Sequence, residues 1–374
     1  ACGYHQVHSM RHLAYRLYRG LIWLWLSALV LGCAAPPAEP RGKIAFLLPE
    51  TKTTRYESHD LPSFRAQLEA RGFDVANNLI YSNANQDAAA QQQQAEAALT
   101  NGARVLVLDP VDSNSATAIA ALARARGVPV IAYDRLITGS DAVDYYVSFN
   151  NREVGRLQGE ALVAALAGVP QPTIVMLNGS PLDNNTVAYK EGAYAALRGR
   201  VVIAKEYDIL DWSPDQAQEA MAQALTALGN RVDGVYSAND GMAGGAIAAM
   251  KAAGLDPLPP VTGQDAELAA VQRILVGEQH MTVYKAIQQE AAAAAELAYL
   301  LWSGKTPDPD RFNASVDNGR IQVPAILLTP VAVTRANLRD TILADNFWDV
   351  TDVCAGEYAA ACARAGLSLS DVRP

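Results

Sequence analysis

The sequence predicts an α/β chain built as two successive halves, each a parallel sheet with helices on its faces. Three observations carry this. Short apolar strands alternate with helical segments of roughly ten to fifteen residues, the signature of βαβ units. The alternation begins after Pro36, Pro37 and Pro40, and it restarts after about residue 150. The chain has 374 residues, 50% of them hydrophobic, enough for more than one core.

The elements follow in order. Lys43 to Leu48 is an apolar run of buried-strand type, and Leu61 to Arg71 carries apolar residues at helical spacing. Asp74 to Tyr81 reads as strand, Asp87 to Thr100 as helix and Arg104 to Leu108 as strand. Asp112 to Arg126 reads as a helix stopped by Gly127, followed by a strand over Val128 to Ala132. In the second half the strands are Thr173 to Leu177, Val201 to Tyr207, Gly234 to Ser237, Pro260 to Gly263 and Met281 to Tyr284. Helices between them start near Asn151, Asn185, Ser213, Asp240 and Ala266; Ser213-Pro214 pairs an N-cap residue with a first-turn proline. Gln91 to Gln94 is expected on a helix surface, and Ala291 to Ala295 in a helix core.

The N-terminus carries Met10, then Arg11, Arg16 and Arg19, then the apolar run Leu21 to Leu31, then Gly32-Cys33-Ala34-Ala35. That order is an export signal, and the apolar run is short for a bilayer span. Leu29-Val30-Leu31-Gly32-Cys33 resembles a lipobox, making Cys33 the expected lipidation site. Residues before Met10 read as an upstream extension that includes Cys2. Cys354 and Cys362, in an exported chain, are candidates for a local disulfide; two unpaired thiols are the alternative. The net charge of −9 argues against nucleic acid as a partner. The five histidines are scattered and no Cys/His group has zinc spacing, so neither a metal nor another cofactor is expected.

Ligands of open parallel sheets bind beyond the carboxyl ends of the strands. Those positions hold Tyr133-Asp134-Arg135, the polar loop Asn178 to Asn185, Asn239-Asp240, Gln264-Asp265 and Lys285. Asp240 alone reads as a helix cap, but the set together reads as a polar crevice. Tyr56 and Trp212 follow strands too, and such rings stack on the apolar faces of sugars while Asp, Asn and Arg hold hydroxyls. Enzyme signatures do not stand up. Ser303-Gly304-Lys305-Thr306 imitates the end of a phosphate loop, but Tyr299 occupies its first glycine position. No Gly-x-Ser-x-Gly elbow exists, and Asp134 with Asp265 is a glycosidase pair only if their unknown separation allows it. The chain is therefore not expected to be an enzyme.

From Lys43 to about Asn346 the chain resembles the xylose branch of the ribose- and galactose-type periplasmic sugar-binding family. The resemblance rests on Ala132-Tyr133-Asp134-Arg135, Tyr146 to Asn151, Gly179 to Asn185, Ser237 to Asp240, Ala243 to Ile247, Gly263 to Ala266 and Met281 to Lys285. It implies two Rossmann-like lobes in the type I, Venus-flytrap architecture. The expected lobes are 43–150 plus 285–325 and 151–284 plus 326–348, with crossings near 150, 284 and 325. Residues 1–40 are then signal and tether, and 349–374 a tail outside the pattern.

Carried over position by position, the sugar contacts fall on Arg55, Asp134, Arg135, Asn185, Asn239, Asp265 and Lys285, with Trp212 stacking on one sugar face. Tyr56 stands where the pattern has a second Trp. The implied function is an exported, lipid-anchored binding protein, a monomer. It would take D-xylose or a related aldopentose and deliver it by hinge closure to an ABC permease and, through it, an ATPase. The alternative is a sensor presenting sugar to a chemoreceptor or sensor kinase. The expected location is the periplasmic or extracellular face of the cell membrane.

Overall fold

The computed structural model describes residues 42–367. Cys33, with the rest of the segment read above as an export signal, lies outside the described residues. Strand β1 (Lys43–Leu48) is buried from Ile44 onward and lies between β2 (Leu79–Asn83) and β3 (Ala103–Leu108), parallel to both. Then β4 (Val130–Tyr133) and β5 (Tyr145–Phe149) extend the same parallel sheet. Alternate side chains serve opposite faces, as a strand requires. Ile44, Phe46 and Leu48 pack with Phe64, Leu68, Ala291, Ala294 and Ala298, while Ala45 and Leu47 pack with Ala95, Ile119, Ala120 and Ala123.

A second parallel sheet follows, with β6 (Thr173–Asn178) between β7 (Val202–Asp208) and β8 (Gly234–Ser237). Single bridges from Val235 to Val261 and from Gln264 to Val283 carry the pairing on to β9 (Thr282–Tyr284). The chain then returns to the first sheet. There β10 (Ala314–Asp317) is antiparallel to β11 (Gln322–Leu328), which runs parallel to β5. Finally β12 (Val331–Val333) pairs antiparallel with β9. The first sheet is seven-stranded, in the order β10-β11-β5-β4-β3-β1-β2.

Several expected elements shift for identifiable reasons. Residues 74–81 are not one strand: Asp74 accepts from the Asn77 N–H and caps a helical turn, Val75–Asn78, before β2 begins. The helix expected from Asp112 starts at Thr117, because Asp112 accepts from the N–H groups of Asn114 and Ser115 and holds a turn. Residues 260–263 pair only through isolated bridges. Gln91 is buried rather than on the surface; it donates to Asp109 O and accepts from Val111 N–H, so it ties its helix to the strand end.

Two helices of the second half, Asn151–Ala165 and Asn184–Leu197, meet backbone to backbone. A Cβ on Gly155 would lie 1.9 Å from Tyr189 O, and one on Gly192 would lie 1.9 Å from Arg152 O. Only glycine permits that approach. The contact seats the start of the second helix, which carries Asn185 and Tyr189. The C-terminal segment adds short helices at Val350–Val353 and Ala359–Arg364, joined by a Cys354–Cys362 disulfide. Val353, Ala361, Cys362 and Leu367 pack against Val271, Ile274 and Leu275 of the helix Leu268–Val276.

Candidate functional site

Strand ends build the site. Arg55 and Tyr56 open a π-helical turn after β1, and Asp134 and Arg135 follow β4. Asn185 lies in the first turn of its helix after β6, Trp212 ends a 3-10 turn after β7, and Asn239 caps the helix Asp240–Ala252 after β8. Lys285 follows β9 directly. Three of these side chains hang from left-handed backbone, with φ of 54° at Asp134, 53° at Trp212 and 92° at Asp265. Non-glycine residues in that region carry a conformational cost that the surrounding structure must hold in place.

All the sequence-proposed ligand residues line one cavity. Arg55 is fully enclosed by carboxylates. Its Nε and Nη2 donate to Asp60 at 3.0 and 2.7 Å, and Nη2 also donates to Glu290 at 2.8 Å. Its Nη1 faces Asp134 at 3.4 Å and Asp265 at 3.9 Å. Lys285 Nζ lies 3.0 Å from Asp265 and 3.7 Å from Asp134. Burial by itself would raise the Asp134 pKa, but Arg55, Lys285 and Arg135 outweigh it and hold the carboxyl well below the usual range. Lys285 is likewise opposed by burial yet raised, because Asp265 and Asp134 face it.

Arg135 has its own group of acids. Its Nε is 3.1 Å from Asp183 and 3.6 Å from Asp109, and Nη2 is 3.9 Å from Glu50. Burial pushes all three of these carboxyls up, with Arg135 only partly compensating. Tyr56 joins the two groups: its hydroxyl donates to Asp134 at 3.0 Å and accepts from Arg135 at 3.3 Å. The Arg55 and Arg135 guanidinium carbons lie 5.0 and 6.0 Å from its ring centre. Tyr56 thus braces charges as well as offering a ring.

The opposite edge adds mostly neutral groups. Asn185 Nδ2 donates to the Asp134 carbonyl at 3.0 Å, and its Oδ1 accepts from Asn151 at 2.8 Å. Asn239 Oδ1 accepts the Met242 N–H, which leaves its amide N–H₂ as the group it can offer a ligand. The Trp212 ring lies over Gly179, where a Cβ would come within 2.0 Å of it. Among the described residues, Trp212 Nε1, Gln264 Oε1, Asp134 Oδ1 and Asp265 Oδ1 are buried without a hydrogen-bond partner, although both aspartates have ion pairs.

Thr53, Asp183, Tyr189 and Gln264 also line the cavity and were not among the residues proposed from sequence. Tyr189 had a readable signal, since it stands one helical turn beyond Asn185. Gln264 and Asp183 lie within the quoted motifs and the strand-end polar set, although no sugar contact was assigned to them. Of the carboxylates behind the arginines, Asp109 directly follows β3 and so carried the strand-end signal, while Asp60 and Glu290 carried none. Among the described residues, no group of three His, Cys, Asp or Glu side chains is placed to hold a metal ion, and no helix is long and apolar enough to cross a membrane.

A family model for a periplasmic binding protein domain matches residues 44–306. The D-xylose-binding periplasmic protein of Escherichia coli (strain K12) is 36% identical over 332 residues, covering 87% of this chain and 96% of that protein. The D-xylose-binding periplasmic protein of Haemophilus influenzae is 37% identical over 310 residues, covering 82% and 90%. The crystal structure of an ABC transporter solute-binding protein from Clostridium phytofermentans, with bound β-D-glucose, matches with a TM-score of 0.77. Its sequence is 28% identical, and the match covers 83% of this chain and 99% of that one.

Proposed function

The chain belongs to the periplasmic binding protein family and has its type I fold, and from that premise we propose that it captures D-xylose for an ABC importer. The observation that carries the reading is the set of buried polar atoms on one cavity: acceptors at Asp134, Asp265 and Gln264, and a donor at Trp212. Leaving such groups unpaired costs about 1–3 kcal/mol each. A monosaccharide hydroxyl both donates and accepts, so a sugar ring answers all of them, while Trp212 and Tyr56 supply faces for its C–H surfaces. Arg55, Arg135, Asn185, Asn239 and Lys285 complete the contact set.

The two sheets act as lobes. Passages at 149–151, 284–287 and 328–331 serve as the hinge. Sugar held by one lobe gains the contacts of the other only on closure, so it favours the closed form by its differential affinity. A misplaced epimeric hydroxyl leaves a buried carboxylate unpaired, which is where selectivity among sugars arises. Xylose is favoured by the identity to the two D-xylose-binding relatives. No bond is made or broken in this cycle.

Calorimetric titration of residues 41–374 with xylose, arabinose, ribose, glucose and galactose tests the reading. Tight binding of xylose above the others is expected. Preference for another sugar would move the specificity while keeping the transport role, and no binding to any would sink the proposal. We also assign Cys33 as the lipid attachment point that keeps the exported protein at the membrane, acting as a monomer. Cys33→Ser is expected to leave the membrane fraction, and continued association would remove that assignment.

A further inference from the structure

The binding reaction makes no use of a group of aromatic rings behind the cavity. His59, on the turn that follows Arg55 and Tyr56, stacks on Phe347 with centroids 3.9 Å apart and meets Trp348 edge-on at 4.6 Å. Burial lowers its pKa to about 4, so near neutral pH it packs as an uncharged ring. Phe347 also meets Tyr284 edge-on at 5.1 Å, and the Tyr284 hydroxyl donates to Asp345 at 3.0 Å. Trp348 Nε1–H donates to the carbonyl of Ala266 at 2.7 Å. The stretch Asp345 to Trp348 therefore touches the chain next to Arg55–Tyr56, next to Asp265 and next to Lys285. It lies beyond the segment that the family model covers.

The Ala266 contact matters most. Asp265 and Ala266 are consecutive non-glycine residues at positive φ, 92° and 52°. Such a turn persists only when its surroundings over-determine it. Asp265 N–H donates to Val283 O, Ala266 N–H donates to Thr282 Oγ1 at 3.2 Å, and Trp348 donates to the Ala266 carbonyl. The Asp265 carboxylate, 3.0 Å from Lys285, hangs from that turn. Trp348 is held in its turn by the C-terminal segment. Gln272 Nε2 donates to Asp352 O at 3.1 Å, and the Cys354–Cys362 disulfide closes the loop whose buried side chains pack on the helix Leu268–Val276.

We propose that Trp348, anchored by the disulfide-closed C-terminal segment, is a positioning residue of the sugar site: its indole N–H fixes the Asp265–Ala266 turn and thereby aims the Asp265 carboxylate. The proposal rests on the sugar-binding reading. Its effect is transmitted through backbone, so it alters affinity without touching the ligand.

The test uses the full chain as wild type, as Trp348→Phe, which keeps the ring and loses the donor, and as the double variant Cys354→Ser/Cys362→Ser. Affinity for D-xylose and D-glucose is measured by calorimetry, and the melting temperature is measured without sugar. Trp348→Phe is expected to weaken binding about 10-fold, the scale of one lost buried hydrogen bond. The double serine variant is expected to weaken it in the same direction by a smaller factor. A role confined to folding would lower the melting temperature and leave affinity alone. Affinity within about twofold of wild type in a folded Trp348→Phe overturns the inference, as does unchanged affinity in the double serine variant should Trp348→Phe fail to fold; about twofold is the spread such measurements carry. Wild-type protein that binds neither sugar overturns the sugar reading, and this inference with it.

Discussion

The two sheet edges facing the cavity meet a hydroxyl-rich ligand with opposite chemistries. The first sheet offers charge: Arg55 and Arg135, each backed by buried acids, and Asp134, which faces Arg55 and Lys285. The second offers chiefly neutral groups, the amides of Asn185, Asn239 and Gln264 and the indole of Trp212, beside Asp183, Asp265 and Lys285, whose charges pair with the first sheet's. A charge taken from water must be paired within the protein, so the charges of the first wall are paired before any ligand arrives, with Asp60, Glu290 and Asp109 behind them and with Asp183 and Lys285 across the cavity. A buried neutral amide costs far less to leave waiting, so the second wall can keep its hydrogen-bonding capacity for the ligand. The difference separates two roles that a contact set alone would merge. Mutations in the first wall strike fold and binding together, whereas in the second Gln264, whose Oε1 has no partner among the described residues, is the position where a mutation strikes binding alone.

The largest effect should come from Arg55. Replacing it by methionine leaves Asp60 and Glu290, two buried carboxyls it now bonds, without their cation, and removes a partner of Asp134. Breaking a buried pair on one side costs about 3–5 kcal/mol. Arg55→Met is therefore expected to lose that much stability in urea unfolding and to lose detectable sugar binding. Wild-type stability in the variant would show that the first wall is not self-supporting. Asp265→Ala, at the junction of the walls, should abolish binding with the fold retained, since Lys285 keeps Asp134 at 3.7 Å.

On the neutral wall the matching change is Gln264→Ala. The bridge from Gln264 to Val283 is made by backbone and survives, and Oε1 has no hydrogen-bond partner among the described residues. Loss of one hydrogen bond to ligand predicts roughly 10-fold weaker binding. The unliganded melting temperature should stay at the wild-type value. A variant that melts early while binding normally would reverse the assignment of roles to the two walls.

The same contrast explains what the sequence disclosed. Strand-end residues were legible because a parallel sheet presents its ligand groups after each strand, and both the alternation and the motifs mark where strands stop. Hence Asp134, Asn239 and Asp265 could be named from the sequence and share one cavity in the structure. The self-pairing of the first wall was not legible. Glu290 lies 235 positions from Arg55, and nothing local to either residue reports that separation closing to 2.8 Å. Asp112 and Asp74 misled for a related reason. Their side chains cap or turn the local backbone, and that competition with regular structure shifts an element's start by several residues. The antiparallel edge strands β10 and β12 pair with strands distant in sequence or sit at sheet margins, where the apolar pattern is weak.

The smallest effect lies behind the neutral wall and tests whether that wall is free of linked charge. Asp240 is fully buried and accepts from Gln279 Nε2 at 2.7 Å, Thr282 Oγ1 at 2.8 Å and Glu267 N–H at 3.0 Å. Burial lifts its pKa from 3.8 to about 7, against the pull of Arg273 and these hydrogen bonds and with help from Asp265. A carboxyl raised in the native state keeps its proton at a pH where the unfolded chain has lost it. Between 3.8 and about 7 the native state therefore binds more protons, and stability falls as pH rises through that window. Glu50, Asp109, Asp183, Glu267 and Glu290, each raised chiefly by burial, act in the same direction. Asp134, depressed, acts oppositely and only in acid, below the ordinary Asp pKa of about 3.9. Urea unfolding of the sugar-free protein should thus show stability declining as pH rises from the ordinary carboxyl range to about 7. Asp240→Asn should flatten the part of that decline below about 7, where Asp240 titrates. An unchanged slope would assign the proton uptake to the other raised carboxyls and remove Asp240 from the pH response.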